Sequence, residues 1–113
     1  MSYIPNQGDI IVMDFDPQAG FEQKGRRPAL VVSNNKYNKH CRMAMVCPIT
    51  NTDKADKKHV FHIQLDNDMQ TTGVILCDQV RALDVSARNA VYKESASDEI
   101  LDEAIDLICS FVE

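Results

Sequence analysis

The chain has 113 residues, enough for one domain with its own core, so we expect a single domain over residues 1–113. Apolar residues make up 44% and charged residues 26% of it, as in an ordinary soluble globule, and no apolar run is long enough to span a membrane. The first residues have neither a basic start nor an apolar core segment, so they predict no signal peptide and a cytoplasmic protein.

The net charge of -5 has the wrong sign for a typical nucleic-acid-binding protein. The charges are unevenly distributed, however, because six acidic residues lie between 94 and 106 while basic groups fall in three connections between predicted strands. The basic groups are Lys24, Arg26 and Arg27, then Lys36, Lys39, His40 and Arg42, and finally Lys54, Lys57 and Lys58. Three basic connections on a mildly acidic body can still form one positive surface.

Short apolar runs predict strands at 10–15, 29–33, 42–49 and 60–65, with one or two more within 73–83. Between the second and third strands, residues 34–40 lack apolar periodicity and are compatible with a loop or a single helical turn around Tyr37. Residues 84–89 are compatible with a short helical turn. These elements predict a mainly β fold, either a twisted antiparallel sheet or a small barrel.

A helix is predicted at the C-terminal end of the chain. Ser97 is a suitable N-cap, and Asp98 and Glu99 in the first turn suit the helix dipole. One face of this helix is apolar, and its residues are Leu101, Ala104, Ile105, Ile108, Phe111 and Val112. We expect the helix to cover an open side of the sheet.

The cysteines and histidines do not predict a metal site. Cys41, Cys47, Cys77 and Cys109 are widely spaced without a C-x-x-C pair, which favours free thiols over disulfides or zinc ligation. His40, Cys41, His59 and His62 are conceivable ligands. However, His59 and His62 are three residues apart in a predicted strand and would point to opposite faces. We therefore predict neither a metal nor another cofactor.

Residues 22–28 read Glu-Gln-Lys-Gly-Arg-Arg-Pro and lie in the long connection between the first two strands. Loops held by a rigid scaffold are where binding and catalytic groups concentrate. Pro28 biases Arg27 towards an extended backbone, so Arg27 should be held at a strand edge. From composition alone, a solvated loop with a charge pair is an equally good interpretation.

Six segments, in their order and spacing, closely resemble the MazF/PemK family of bacterial toxins. They are residues 8–11, 14–17, 20–28, 29–33, 48–50 and 78–81. The resemblance runs from about residue 8 through the C-terminal helix, and the Glu-Gln-x-Gly-x-Arg-Pro motif before an apolar strand is its most specific part. It implies an SH3-like small barrel of antiparallel strands with a C-terminal helix, and a homodimer. It also implies a metal-independent endoribonuclease that cuts single-stranded mRNA at short motifs, arrests growth, and is blocked by a cognate antitoxin.

The resemblance also implies catalytic residues. Cleaving RNA without metal most simply uses the substrate's own 2′-OH, and the enzyme must then stabilise charge on the phosphate. Arg27 matches the family's catalytic arginine, and its planar fork suits a phosphate. Thr50 matches the family's active-site threonine, although from its position alone it is an ordinary strand-end residue. Glu22 matches a position near the site and either accepts the 2′-OH proton or orients Arg27.

Further residues are candidates for binding RNA. They are Phe21, Gln23, Lys24, Arg26, Tyr37, Asp78 and Gln79. Phe21 and Tyr37 could stack on unpaired bases, although isolated aromatics are as often part of a core. Asp78 and Gln79 could contact bases or hydrogen-bond within the barrel.

The sequence departs from the family pattern at two places. Leu76 stands where some members carry a catalytic basic residue, which favours a mechanism based on Arg27 and Thr50. Some members also have a histidine at the position of Phe21 or Arg26, and this chain has neither, so a convenient general acid is missing.

Two other functions are alternatives for this sequence. A non-catalytic relative of the same fold poisons DNA gyrase through its C-terminal helix, but the end of this chain, residues 109–113, does not look suited to that role. A non-cleaving RNA-binding barrel is the other alternative. Retention of Arg27 and Thr50 favours the endoribonuclease.

Overall fold

The computed structural model of the protein describes residues 3–15, 25–51 and 59–112. The strands are β1 (Asp9–Asp14), β2 (Arg26–Val31), β3 (Ala44–Thr50), β4 (His62–Gln64), β5 (Val74–Leu76), β6 (Arg81–Leu83) and β7 (Val91–Ser95). The helices are α1 (Asn35–Cys41) and α2 (Asp98–Val112), and Cys77–Gln79 form a 3₁₀ turn after β5. Among these residues, neither helix is both long and apolar enough to cross a bilayer.

All strand pairs are antiparallel, and the strand order is β4-β5-β3-β2-β1-β7. β6 pairs with the first half of β3 and β5 with its last two residues. The sheet is barrel-like but not closed. β3 has neighbours on both edges, and β4 and β7 are the first and last strands in the strand order of the sheet. This confirms the predicted fold class of antiparallel strands with a C-terminal helix.

The sheet buries an apolar cluster on each side. Alternate residues of a strand face opposite sides, so β1, β2 and β3 contribute to both clusters. Ile10, Leu30 and Ile49 belong to the cluster that α2 covers, whereas Ala29 and Val46 belong to the other. A central strand with both faces buried explains why the apolar runs around residues 29–32 and 44–49 are nearly continuous.

Helix α2 begins as predicted, because Ser97 Oγ accepts a hydrogen bond from the Ile100 amide at 3.2 Å. The residues that α2 buries differ from those of its predicted apolar face. Ile100 and Ala104 are buried against the sheet, with Leu107 and Ile108 partly buried beside them. The apolar face of α2 is expected to lie against the sheet or against the seam of a dimer. Val112 is 71% exposed on this single chain, so the sheet does not cover it.

Several element bounds differ from the sequence prediction for local reasons. The stretch predicted as a loop or single turn is the seven-residue helix α1, because the Asn34 side chain caps it by accepting from the Tyr37 amide at 2.9 Å. Arg42 has the positive φ of 54° that ends this helix, so β3 starts at Ala44. Residues 85–89, within the predicted short helical turn, form turns in which the amides of Arg88 and Asn89 donate to the carbonyl oxygens of Val85 and Ser86, without a regular helix.

The sequence pattern does not predict strand β7. Its first three residues, Val91, Tyr92 and Lys93, are exposed, so the strand has no alternation of buried and exposed side chains to reveal it. It forms because its backbone pairs with β1, from Asp9 opposite Ser95 to Val12 opposite Val91. This pairing joins segments about eighty residues apart, which a local sequence pattern does not report.

Candidate active site

The structure places Arg27 and Thr50 at the same end of two adjacent strands. β2 and β3 pair from Val31 opposite Val46 to Ala29 opposite Pro48, and Pro28 has no amide hydrogen with which to extend the ladder. Arg27 lies two residues before Ala29 on β2, and Thr50 lies two residues after Pro48 on β3, so both extend the paired segment at the same end. Because side chains alternate along a strand, both lie on the face that carries Ala29. Thr50 is buried and Arg27 is half-buried.

Thr50 is held against a glycine. Gly73, just before β5, has a φ of +118°, and Val74 pairs with Thr50. A Cβ atom at Gly73 would lie 2.3 Å from the Thr50 carbonyl oxygen and 2.9 Å from the Asn51 Cα. The close approach of β5 to the end of β3 therefore requires glycine at this position, and it fixes the backbone from which the Thr50 hydroxyl projects.

Arg26 points the other way from Arg27 and has a role inside the protein. Its guanidinium donates to Asp14 Oδ1 at 3.2 Å and to the Asn89 carbonyl oxygen at 2.9 Å. The hydrogen bond from the Asn89 side chain, followed by that from Arg26, lowers the pKa of Asp14. Arg26 thus connects β2 to the turn before β7. Its predicted contact with RNA stays a prediction.

The remaining predicted site residues are not all near this end of the sheet. Glu22, Phe21, Gln23 and Lys24 lie outside the described residues, as do Lys54, Lys57 and Lys58. Tyr37 is half-buried on α1, which leads into the first residue of β3, whereas Thr50 is the last. Seven strand residues separate these ends by about 20 Å. The basic residues of α1 therefore do not join Arg27 in one surface on this chain.

Asp78 and Gln79 lie on the 3₁₀ turn after β5. Asp78 is exposed and its Oδ1 is 3.0 Å from His62 Nε2, so it makes the hydrogen bond within the fold that was one of its two predicted roles. Gln79 is half-buried. Contact of either side chain with RNA stays a prediction.

The prediction that His59 and His62 point to opposite faces is wrong. β4 begins only at His62, and His59 lies in the preceding turn, where strand alternation does not apply. Their rings stack with centroids 4.0 Å apart, and ligand atoms of both and of Asp78 lie within 4.8 Å of one another. Nearly parallel stacked rings do not direct their in-plane lone pairs at one point, so we assign no ion to this group. All four cysteines are free, as predicted.

A polar pocket of about 300 Å³ lies beside Arg27, and the sequence did not reveal it. We call it the Asn51 pocket. Its walls include both Arg26 and Arg27, together with Ile49, Asn51, Gln70, Thr72 and Lys93. The Asn51 side-chain amide donates to Thr72 Oγ1 at 3.2 Å and so joins the end of β3 to the loop before β5. The pocket depends on segments far apart in the chain, so only the folded arrangement brings it together.

Glu94 on β7 fixes one wall of this pocket. Its carboxylate accepts hydrogen bonds from the Gln70 amide at 3.2 Å and from both the amide and the hydroxyl of Thr71 at 2.6 Å. Partial burial by itself raises the pKa of Glu94, but the hydrogen bonds from Thr71 and Gln70 outweigh it and the pKa is lowered. The ionised carboxylate of Glu94 thus holds residues 70 and 71, in the loop before β5, against β7.

We expect Glu94→Gln to lower the free energy of unfolding at pH 7 by about 1 kcal/mol. This is less than a buried hydrogen bond to a charged group contributes, because the Glu94 carboxylate is partly exposed to solvent. Because the folded pKa is lowered, the stabilisation is present above the ordinary pKa of about 4.5 and is lost as pH falls through the folded value. Thermal melts from pH 7 to pH 3 should therefore show the two proteins converging in acid. Glu103→Gln, at an exposed position on α2, is the control. A difference that is constant with pH would contradict this role of the charge.

Comparison with known proteins identifies the family. Residues 6–112 match the model of the PemK-like, MazF-like toxin of type II toxin–antitoxin systems. The chain is 38% identical to the endoribonuclease toxin MazF of Escherichia coli (strain K12), over 88% of this chain and 86% of the relative. It is 38% identical to the endoribonuclease toxin ChpB of the same strain, over 95% and 93%.

Solved structures agree with this. The crystal structure of MazF (Form-I) from Deinococcus radiodurans superposes with a TM-score of 0.88 at 35% identity, covering 97% of both chains. A chain in the crystal structure of MazE-MazF (Form-II) from the same organism superposes with a TM-score of 0.82 at 35% identity, covering 97% of this chain and 96% of that one. The protein belongs to the PemK-like, MazF-like family of toxins of type II toxin–antitoxin systems.

Proposed function

We propose that the protein is an endoribonuclease that cleaves single-stranded mRNA by attack of the substrate's own 2′-OH, without a metal ion, and thereby arrests growth. Relatives that are 35–38% identical over most of the chain are endoribonucleases by name. The observation that carries the chemistry is the position of Arg27 and Thr50, which share one face at the same end of β2 and β3.

The proposed reaction needs two proton movements and one stabilised charge. The 2′-oxygen bonds to phosphorus as its proton leaves, the bond from phosphorus to the 5′-oxygen breaks, and that oxygen takes a proton. The products are a 2′,3′-cyclic phosphate and a 5′-OH. Arg27 donates two parallel hydrogen bonds to the phosphate and stabilises its extra charge, and the Thr50 hydroxyl donates a further one. Glu22 either accepts the 2′-OH proton or orients Arg27.

The test uses purified protein, single-stranded RNA and EDTA. We expect cleavage of all-ribose RNA, and none where the nucleotide 5′ to the cut carries 2′-deoxyribose, because the nucleophile is then missing. The cyclic phosphate should appear by mass spectrometry. Equal cleavage of the deoxy substrate would exclude 2′-OH attack. An RNA that binds but stays intact would favour a non-cleaving RNA-binding barrel, and inhibition of DNA gyrase without RNA cleavage would favour a gyrase poison.

We further propose that the protein is a homodimer whose RNA site is covered by a cognate antitoxin. Solved structures of relatives include MazE-MazF complexes. A disordered acidic segment could fold onto the toxin with its carboxylates against Lys24, Arg26 and Arg27. The neighbouring gene's product should then displace a non-cleavable RNA analogue in a competition titration, with the toxin dimer measured by light scattering. Undiminished binding of RNA and antitoxin together would show that inhibition does not occur by covering the site.

A further inference from the structure

A second cavity, of about 540 Å³, lies at the opposite end of β3 from Thr50. We call it the Met43 pocket. It is formed by the N-terminal segment, the end of α1 and the turn after β6, and its apolar wall includes Tyr3, Met43 and Val85. Its volume is within the range of small-molecule pockets, and apolar walls with a few polar groups are typical of them. The proposed cleavage of RNA does not use this pocket.

Most polar side chains of the Met43 pocket already have partners inside the protein. The Asn38 side-chain amide donates to the Pro5 carbonyl oxygen at 3.0 Å, and Ser86 Oγ donates to the Tyr3 carbonyl oxygen at 3.2 Å. The Tyr3 hydroxyl donates to a buried carboxylate. Asp84 Oδ1 accepts from a backbone amide of its own turn at 3.1 Å. These groups hold the pocket together and leave little capacity to recognise a ligand.

The two cations of the pocket are different. Lys39 and Arg42 are exposed at its rim, and neither forms a hydrogen bond or an ion pair within the part of the chain that the structure describes. Asp84 is the only carboxylate among the described residues that line the pocket, so cations outnumber anions there. A bound oxyanion would give both cations a partner, and the planar fork of Arg42 suits a carboxylate or a phosphate.

The backbone of Arg42 is an independent observation that points the same way. Its φ of 54° is in the left-handed region, at the position after a helix where glycine is usual. Within residues 3–15, 25–51 and 59–112 the only other non-glycine residue with a positive φ is Asn89, and asparagine tolerates this conformation. Arginine at this position therefore costs stability that glycine would not. A function of the guanidinium in the pocket explains why the strained residue is present.

We propose that the Met43 pocket binds a small organic anion. Its apolar body would lie against Tyr3, Met43 and Val85, and its carboxylate or phosphate would be held by Lys39 and Arg42. The seven residues of β3 separate this pocket from Thr50 by about 20 Å. The inference is therefore independent of the proposed function, and either can fail without the other.

The experiment titrates the full chain, with labelled methionine methyl groups, and follows the methyl resonances by NMR. The probes are naphthoate, naphthyl phosphate and the neutral naphthylmethanol. At least one anion should shift the Met43 resonance, with about 10-fold or greater preference over the neutral alcohol, the scale of one charged hydrogen bond. Met69, which packs in the cluster that α2 covers, should not shift. The tighter anion identifies a carboxylate or a phosphate site. Equal affinity for the alcohol, or no shift of Met43 with either anion, would overturn the proposal.

Variants at the rim separate binding from folding. Arg42→Gly should bind the anion about 10-fold or more weakly, yet its melting temperature should rise by a few degrees because glycine relieves the strained backbone. The loss then cannot come from misfolding. Lys39→Ala should also bind weakly, whereas Lys36→Ala, exposed on the same helix but outside the pocket, is the matched control. Arg27→Ala should retain affinity, which excludes binding at the phosphate site. Wild-type affinity in Arg42→Gly, or equal losses in Lys36→Ala and Lys39→Ala, would contradict the proposal.

Discussion

Replacing Arg27 with alanine should lower the rate of RNA cleavage by about 10²–10³-fold without unfolding the protein, the usual effect of removing one oriented donor to a developing charge. Thr50→Ala should reduce the rate for the same reason, because the hydroxyl lies on the same face of the adjacent strand end. Arg27→Lys keeps the charge but not the planar fork, so it should recover only part of the rate. Single-turnover cleavage of a defined RNA measures all three.

Arg26→Ala is the matched control, because it removes the same charge from the neighbouring residue of the same strand. Arg26 is directed at Asp14 and the Asn89 carbonyl oxygen, so its loss should lower stability more than it lowers the rate. Any loss of RNA affinity for Arg26→Ala, or for Lys24→Ala, should weaken as salt rises. An equal reduction of the cleavage rate in Arg26→Ala and Arg27→Ala would contradict the assignment of the catalytic role to Arg27 alone, which rests on the opposite orientation of the two side chains.

Gly73→Ala should be the most destabilising single methyl addition near the site. The new Cβ would meet the Thr50 carbonyl oxygen at 2.3 Å, and backbone cannot move aside as a flexible side chain can. Strain at this φ and overpacking each cost about 1–3 kcal/mol, which together should lower the melting temperature by roughly 10 °C or more. A displacement of Thr50 of about 1 Å can also reduce the rate about 100-fold. Melts and cleavage assays well below the melting temperature separate the two effects.

Gly8→Ala distinguishes the cost of backbone strain at a positive φ from the cost of a steric clash with the new Cβ. Gly8 also has a positive φ, of 93°, but its new Cβ would meet only the Leu101 Cδ2 atom, at 3.4 Å. We expect a cost of about 1–2 kcal/mol from the backbone conformation alone, and an unchanged cleavage rate below the melting temperature. Equal losses of stability for Gly73→Ala and Gly8→Ala would contradict the contact between Gly73 and Thr50.

The amino-acid sequence by itself determined those features that depend on neighbouring residues. Apolar runs indicated the central strands, Ser97 marked the start of α2, and cysteine spacing indicated free thiols. The motif at 22–28 and the other segments that resemble the family indicated the family, and the match of residues 6–112 to the family model confirms it. These signals are local or follow a short period, so they can be read without knowledge of which segments meet.

Tertiary structure decided the rest, because it depends on contacts between distant segments. β7 is a strand through its pairing with β1, and Glu94 then reaches Thr71, 23 residues earlier in the chain. Strand pairing likewise decided that Arg27 and Arg26 face opposite sides, so that one adjoins the face of Thr50 while the other joins Asp14. Since one residue of register exchanges the two faces of a strand, the composition of the Arg-Arg pair could not reveal which arginine shares a face with Thr50.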